Sequence, residues 1–160
     1  MTPALRIRVW VLVGVLFMLH FILHVGFAFG LGAPDLLTVA LLLAAREVGM
    51  GRGAALGLFF GLGEDALSVL AFGANSVAMT ITAIGGAFTR DIFVGDSRFF
   101  FSFYLFLGKW LRDLVHWLAV GDGFRQPFVD QVIVQGAVGA TYVAAVGTVL
   151  VAITGLGRDI

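Results

Sequence analysis

The stretch FFFSFYLFLGKWLRDLVHWLAV, residues 99–120, decides how this chain is read. It is apolar enough and long enough to cross a hydrocarbon layer of about 30 Å at about 1.5 Å per helical residue. Yet it carries Lys109, Arg112, Asp113 and His116 at i, i+3, i+4 and i+7. On a helix these four positions share one face. Surrounding composition says what that face meets. Of 160 residues, 60% are apolar and 12% charged, with a mean hydropathy of +1.03. Soluble domains carry about 25% charged residues, so this composition belongs in a bilayer. A charge at the bilayer centre costs about 2.5–3.5 kcal/mol even on the mildest scale. The charged face must therefore turn inward and meet opposite charge.

Composition also excludes several classes. Ten Lys and Arg balance ten Asp and Glu, with no basic patch to suit nucleic acid. The apolar content is too high for a disordered chain. With no cysteine there is no disulfide framework and no Cys-based metal site.

Working outward from residues 99–120, the apolar runs define one polytopic membrane domain with six spans. They are 9–31, 35–46, 52–72, 74–94, 99–120 and 129–153. The first is too long for a secretory signal peptide and lacks its cleavage pattern. The second holds only about ten apolar residues, which barely cross a bilayer as a helix. It is expected to extend into its flanks or to tilt.

Alternating spans put Arg6, Arg8, Arg46, Arg52, Arg90, Arg98 and Arg158 on one side, and Arg125 alone on the other. By the positive-inside rule both termini are expected in the cytoplasm. A five-span chain would scatter these arginines.

Glu64 and Asp65 lie roughly 18 Å into the third run, and Arg112 and Asp113 roughly 20 Å into the fifth, at 1.5 Å per residue. That places all four slightly beyond the midplane. The expected network pairs Arg112 and Lys109 with Asp65 and Glu64, with Asp113 closing it and His116 on the same face. Three carboxylates against two cations leave one acid surplus. Such a network marks an ion, proton or ligand site by default, or it fixes helix register with little net stability; the structural role is slightly favoured.

Gly49, Gly53, Gly57 and Gly61 recur every four residues and form a close-packing ridge on the third helix, with Asp65 as the next step. Gly136, Ala140 and Ala144 make a similar small face on the sixth. Packing within the chain is the expected use. His20 and His24 stand at i, i+4 on the first helix, without the His-Glu-x-x-His pattern of a zinc enzyme. Capping a backbone carbonyl or reaching an interfacial water is expected of them, and no metal or other cofactor is expected. Neither a phosphate-binding loop nor a Gly-x-Ser-x-Gly nucleophile motif occurs.

The run from residue 34 to 86 resembles the rod shape-determining protein MreD, a bacterial membrane subunit of the cell-elongation machinery. The matching residues are Pro34-Asp35, an apolar helix ending at Arg46, and the run GLFFGLGEDALS from Gly57 to Ser68. Gly73 follows eight residues after Asp65 and leads into Ala-Asn-Ser-Val-Ala-Met. Asp113 on an aromatic-rich helix ending at Trp117 also fits. Glu64, Lys109 and Arg112 lie outside that pattern. The resemblance covers most of the chain.

What the resemblance implies is a non-enzymatic scaffold of the cell-elongation (rod) complex in the bacterial inner membrane, acting on cell shape and peptidoglycan synthesis. Its main partner would be MreC. MreB, RodA and a class B penicillin-binding protein would be reached through the complex. The family is also similar to the S-components of energy-coupling-factor transporters, which are six-helix membrane proteins. That similarity supplies the alternative expectation, a substrate-binding membrane subunit of a vitamin-type transporter. The short outer loops at 30–35, 72–75 and 121–129 favour the scaffold.

Overall fold

The computed structural model describes residues 3–26, 35–68, 71–89 and 98–155. Gly30, Pro34, Arg90 and Arg158, read above as span ends and flanking charges, lie outside the described residues, as does the side chain of Arg98.

Among the described residues the chain is all-helical, with six α-helices and no strand. They are α1 (Pro3–Phe21), α2 (Leu36–Glu47), α3 (Met50–Asp65), α4 (Ala74–Thr89), α5 (Arg98–Ala119) and α6 (Gly136–Ile153). A π-helical turn, Ile22–Gly26, prolongs α1, and a longer one, Val129–Gln135, leads into α6. Two of these helices, Pro3–His24 and Val129–Ile153, are long and apolar enough to cross a membrane. The other four fall short for physical reasons. Helices α2, α3 and α4 have 12, 16 and 16 residues. Helix α5 has 22 residues but bears the charged face.

Side-chain contacts fix the helix directions. Arg6 reaches Glu47 at 3.8 Å, and Leu37 donates its N–H to His20, so α1 and α2 are antiparallel. Gly53, Gly57 and Gly61 face Ala83, Met79 and Ser76 in turn, so α3 and α4 are antiparallel. Tyr104 meets Leu42 while Arg112 meets Asp35, which opposes α5 to α2. Ser102 bonds Thr148 and Trp110 bonds the Val132 carbonyl, which opposes α6 to α5. Helices therefore alternate in direction. Arg6, Arg46 and Arg52 come to one end of the bundle, and Arg125, paired with Asp122, comes to the other.

Helix α2 is the axis. Every residue from Leu36 to Ala45 is buried. It does not lengthen into its C-terminal flank, as a lone span would, but stops at Glu47, where Val48 turns extended. At about 1.5 Å per residue it is about 18 Å long. A helix walled by protein has no need to reach both lipid interfaces, because its neighbours shield its ends. Asp35 starts it: one carboxylate oxygen accepts from the Thr38 N–H at 3.0 Å and the other from the Thr38 hydroxyl at 2.8 Å.

The glycine ridge packs α3 on α4. A Cβ at Gly61 would collide with the Ser76 Cα, and one at Gly57 would stand 2.5 Å from the Met79 carbonyl oxygen. These backbones touch at a distance that only glycine permits. Gly49 is a correction to the expected ridge: it caps α3 in an extended conformation, and nothing stands within 4 Å of its Cβ position. The small face of α6 is buried as expected, at Gly136, Ala140 and Ala144.

The outside of the bundle is apolar. On α1, Ile7, Val11, Val15, Met18 and Ile22 are exposed along one stripe, and on the α6 arm so are Ile133, Val138, Val149 and Ile153. Charges inside and hydrocarbon outside invert the soluble pattern.

Candidate functional site: a buried ion chain

The charged face of α5 meets the starts of α2 and α4 and the end of α3. Arg112 is 9% exposed and donates to both Asp35 and Glu64. A longer contact, 3.3 Å, runs from Arg112 to the Asn75 side-chain oxygen. Lys109 lies 3.4 Å from Asp35 and pairs with Asp113 one turn along its own helix. The side chains thus form a row of alternating sign: Glu64, Arg112, Asp35, Lys109, Asp113. Each cation is held between two carboxylates. Opposite charge thus offsets much of the cost of burying each cation, although the buried Arg112 Nε makes no hydrogen bond among the described residues. Both ends of the row are acids, so the row carries one surplus negative charge.

The Glu64 end is met by His20, which is 2% exposed. Its Nδ1 accepts the Leu37 N–H at 3.4 Å, so the ring proton sits on Nε2 and points at Glu64 Oε1, also 3.4 Å away. His24 stacks on His20 with ring centroids 4.3 Å apart. A small cavity of about 180 Å³ opens here, lined by His20, His24, Glu64, Leu67, Ser68 and Asn75 among others. The expectation that His20 would cap a carbonyl is corrected: its unprotonated nitrogen takes an N–H instead.

The Asp113 end faces a larger groove of about 700 Å³ between α5 and the α6 arm. Asp35, Lys109, Asp113 and His116 line one side, and Gln131, Gln135 and Tyr142 the other. His116 thus joins the expected face at the groove.

Asp65 is the main correction. It pairs with neither Arg112 nor Lys109. Its carboxylate is fully buried and accepts three hydrogen bonds from the start of α4: Asn75 N–H at 3.1 Å, Ser76 N–H at 2.9 Å and the Ser76 hydroxyl at 2.6 Å. Asp65 is a helix cap supplied from another helix, and it faces the positive end of the α4 dipole. The place expected for it in the ion row belongs to Asp35, which reading the sequence missed. Depth differs from helix to helix. Glu64 is the penultimate residue of α3, but Lys109 and Arg112 are the twelfth and fifteenth of the 22 residues of α5, so the row crosses that helix just past its midpoint. It lies in the half of the bundle opposite Arg6 and Arg46.

Among the described residues, no group of three His, Cys, Asp or Glu side chains is placed to hold a metal ion. No family model, no curated protein and no solved structure matches the chain.

Proposed function

We propose that the chain is a six-span protein of the bacterial inner membrane with both termini in the cytoplasm. We propose further that it is a non-enzymatic scaffold of the MreD type, binding MreC within the cell-elongation complex and acting on cell shape. One observation carries this reading: the part of the resemblance from Gly57 to Ser76 forms a single interlock. Gly57 and Gly61 bring α3 against α4, Asp65 caps α4 through Asn75 and Ser76, and Gly73 makes the turn between them with a φ of 96°. A pattern of glycine, aspartate and small polar residues at those spacings is what this interlock requires. The ion row supports a scaffold as well. It ties α1, α2, α3 and α5 to one another, which fixes their register.

The arginines support the orientation. Arg6, Arg46 and Arg52 share the end that would face the cytoplasm, and the ion row and both cavities lie toward the opposite, outer end. The short α2 fits a bilayer because its neighbours wall it in, while α3 and α4 share the lipid contact of the longer helices through exposed Phe59, Leu62, Val77 and Phe88. MreB, RodA and a class B penicillin-binding protein are partners through the complex under this reading.

The test is affinity purification from membranes of rod-shaped cells. Recovery of MreC is expected. Recovery of an energising ATPase module without MreC would overturn the scaffold in favour of the second reading, a substrate-binding subunit of a small-molecule transporter. The observation that favours this second reading is the groove of about 700 Å³.

A further inference from the structure

The groove between α5 and the α6 arm has a chemistry of its own. Its volume, about 700 Å³, falls in the range of small-molecule sites, about 300–1,000 Å³. Its floor is the acidic end of the ion row. Asp113 gives Oδ1 to Lys109, and its Oδ2 turns toward α6, 4.0 Å from the Cβ position of Gly139. Any larger side chain at Gly139 would close the space over that oxygen.

Across the groove, Gln131, Gln135 and Tyr142 make no side-chain hydrogen bond among the described residues. They sit on the π-helical turn and first turns of α6, where the wider helix swings side chains toward α5. Polar side chains on a surface otherwise built for hydrocarbon are costly unless something engages them.

The lining selects a ligand by charge. An anion would sit against Asp35 and Asp113, and Lys109, which also lines the groove, is already engaged by both. Arg112 is turned away to Asp35 and Glu64. A neutral ligand would leave the surplus negative charge of the row unmatched. A bare metal ion would lack a ligand set. The two glutamine amides, the His116 ring and the Tyr142 hydroxyl can each accept as well as donate, so they can receive a cation whose charge Asp113 matches. The Tyr142 ring, half exposed at 48%, adds an aromatic face that attracts cations.

We propose that this groove binds an organic cation through a primary ammonium or guanidinium group, seated on Asp113 Oδ2 and received by Gln131, Gln135 and Tyr142. The site stands apart from the scaffold reading and needs no partner protein.

The test is calorimetric titration of the detergent-purified full chain with spermidine and with agmatine, in a fixed background of sodium chloride. Glutarate and 1,5-pentanediol serve as the anionic and uncharged probes. One saturable site is expected for both cations and none for the other two. Asp113→Asn should weaken cation binding about tenfold to a hundredfold, the usual worth of a charge-assisted hydrogen bond. Val138→Trp should abolish it by filling the groove without altering any charge, since Val138 lines the rim and is 67% exposed. This variant decides the matter if Asp113→Asn fails to fold. Absence of saturable cation binding would overturn the proposal. So would equal binding by wild type and Val138→Trp, or complete displacement of the cations by magnesium chloride, which would mark loose surface attraction.

Discussion

Replacing Asp65 with alanine removes the acceptor for three hydrogen bonds at the first turn of α4. The Asn75 and Ser76 N–H groups have no intrahelical partner there, and Ser76 is buried. An unsatisfied buried donor costs about 1–3 kcal/mol. The Ser76 hydroxyl can rotate, so the two N–H groups dominate, and the expected loss is about 2–6 kcal/mol. Asp65→Asn keeps one acceptor oxygen and should lose about 1–2 kcal/mol by the same reasoning. Coupling to Arg112 is the sharper measurement. Asp65 and Arg112 share only the Asn75 side chain and backbone among the described residues. A double-mutant cycle with Asp65→Asn and Arg112→Met should therefore give a coupling below about 1 kcal/mol, whereas Glu64→Gln with Arg112→Met should give about 1–3 kcal/mol. Stability is read in mixed micelles titrated with sodium dodecyl sulfate, with the fluorescence of Trp110 and Trp117 as the signal. Equal coupling in the two cycles would refute the assignment of Asp65 to the α4 cap. So would recovery of stability on combining Asp65→Leu with Arg112→Leu.

Three further outcomes follow from the packing. Gly61→Ala should destabilise by about 1–3 kcal/mol, the usual cost of overpacking, because its Cβ would meet backbone atoms of Ser76 and Asn75; Gly49→Ala should leave the unfolding midpoint unchanged. Tyr104→Phe should cost about 1 kcal/mol, since the Tyr104 hydroxyl donates to the buried Leu42 carbonyl at 2.8 Å; an unchanged midpoint would contradict that bond. Arg125 donates to the carbonyls of Trp117, Leu118 and Val120 at the end of α5 and lies over the Trp117 ring at 4.8 Å. Arg125→Ala should fray that end, seen as faster protease cleavage between residues 118 and 128, whereas Arg125→Lys should restore only part of the protection because a single ammonium lacks the fork.

The charged face of α5 could be read from spacing alone, because helical periodicity puts residues 109, 112, 113 and 116 together whatever they meet. Glu64 could be read as its partner from depth. Asp65 could not share that role, and the reason was present in the sequence. Asp65 continues the ridge of Gly57 and Gly61, four residues on, and that ridge faces α4, whereas Glu64 points about 100° away from it. Asp35 was missed because it stands before a run too short to span, and an acid at such a place reads as a loop residue. The signal was there as well. An aspartate directly before an apolar run is a helix-start residue, and a run of ten apolar residues cannot reach both interfaces, so one of its ends lies inside. The glycine ridge was legible as a ridge, but its end at Gly53 was not, because a cap and a contact look alike in the sequence. The role of His20 was invisible, since its partner is a backbone N–H on another helix.

Cysteine labelling tests the central claim most directly: a bundle of alternating spans with its ion row toward the outer face. The chain has no cysteine, so each introduced thiol reports alone. Asp122, with a side chain 94% exposed, lies beyond the end of α5 in the half of the bundle that holds the ion row, and Arg52 is exposed at the opposite end. In intact spheroplasts, a membrane-impermeant maleimide should label Asp122→Cys at once and Arg52→Cys only after the membrane is opened. Labelling of Arg52→Cys from outside, or of both positions from the same side, would contradict the account.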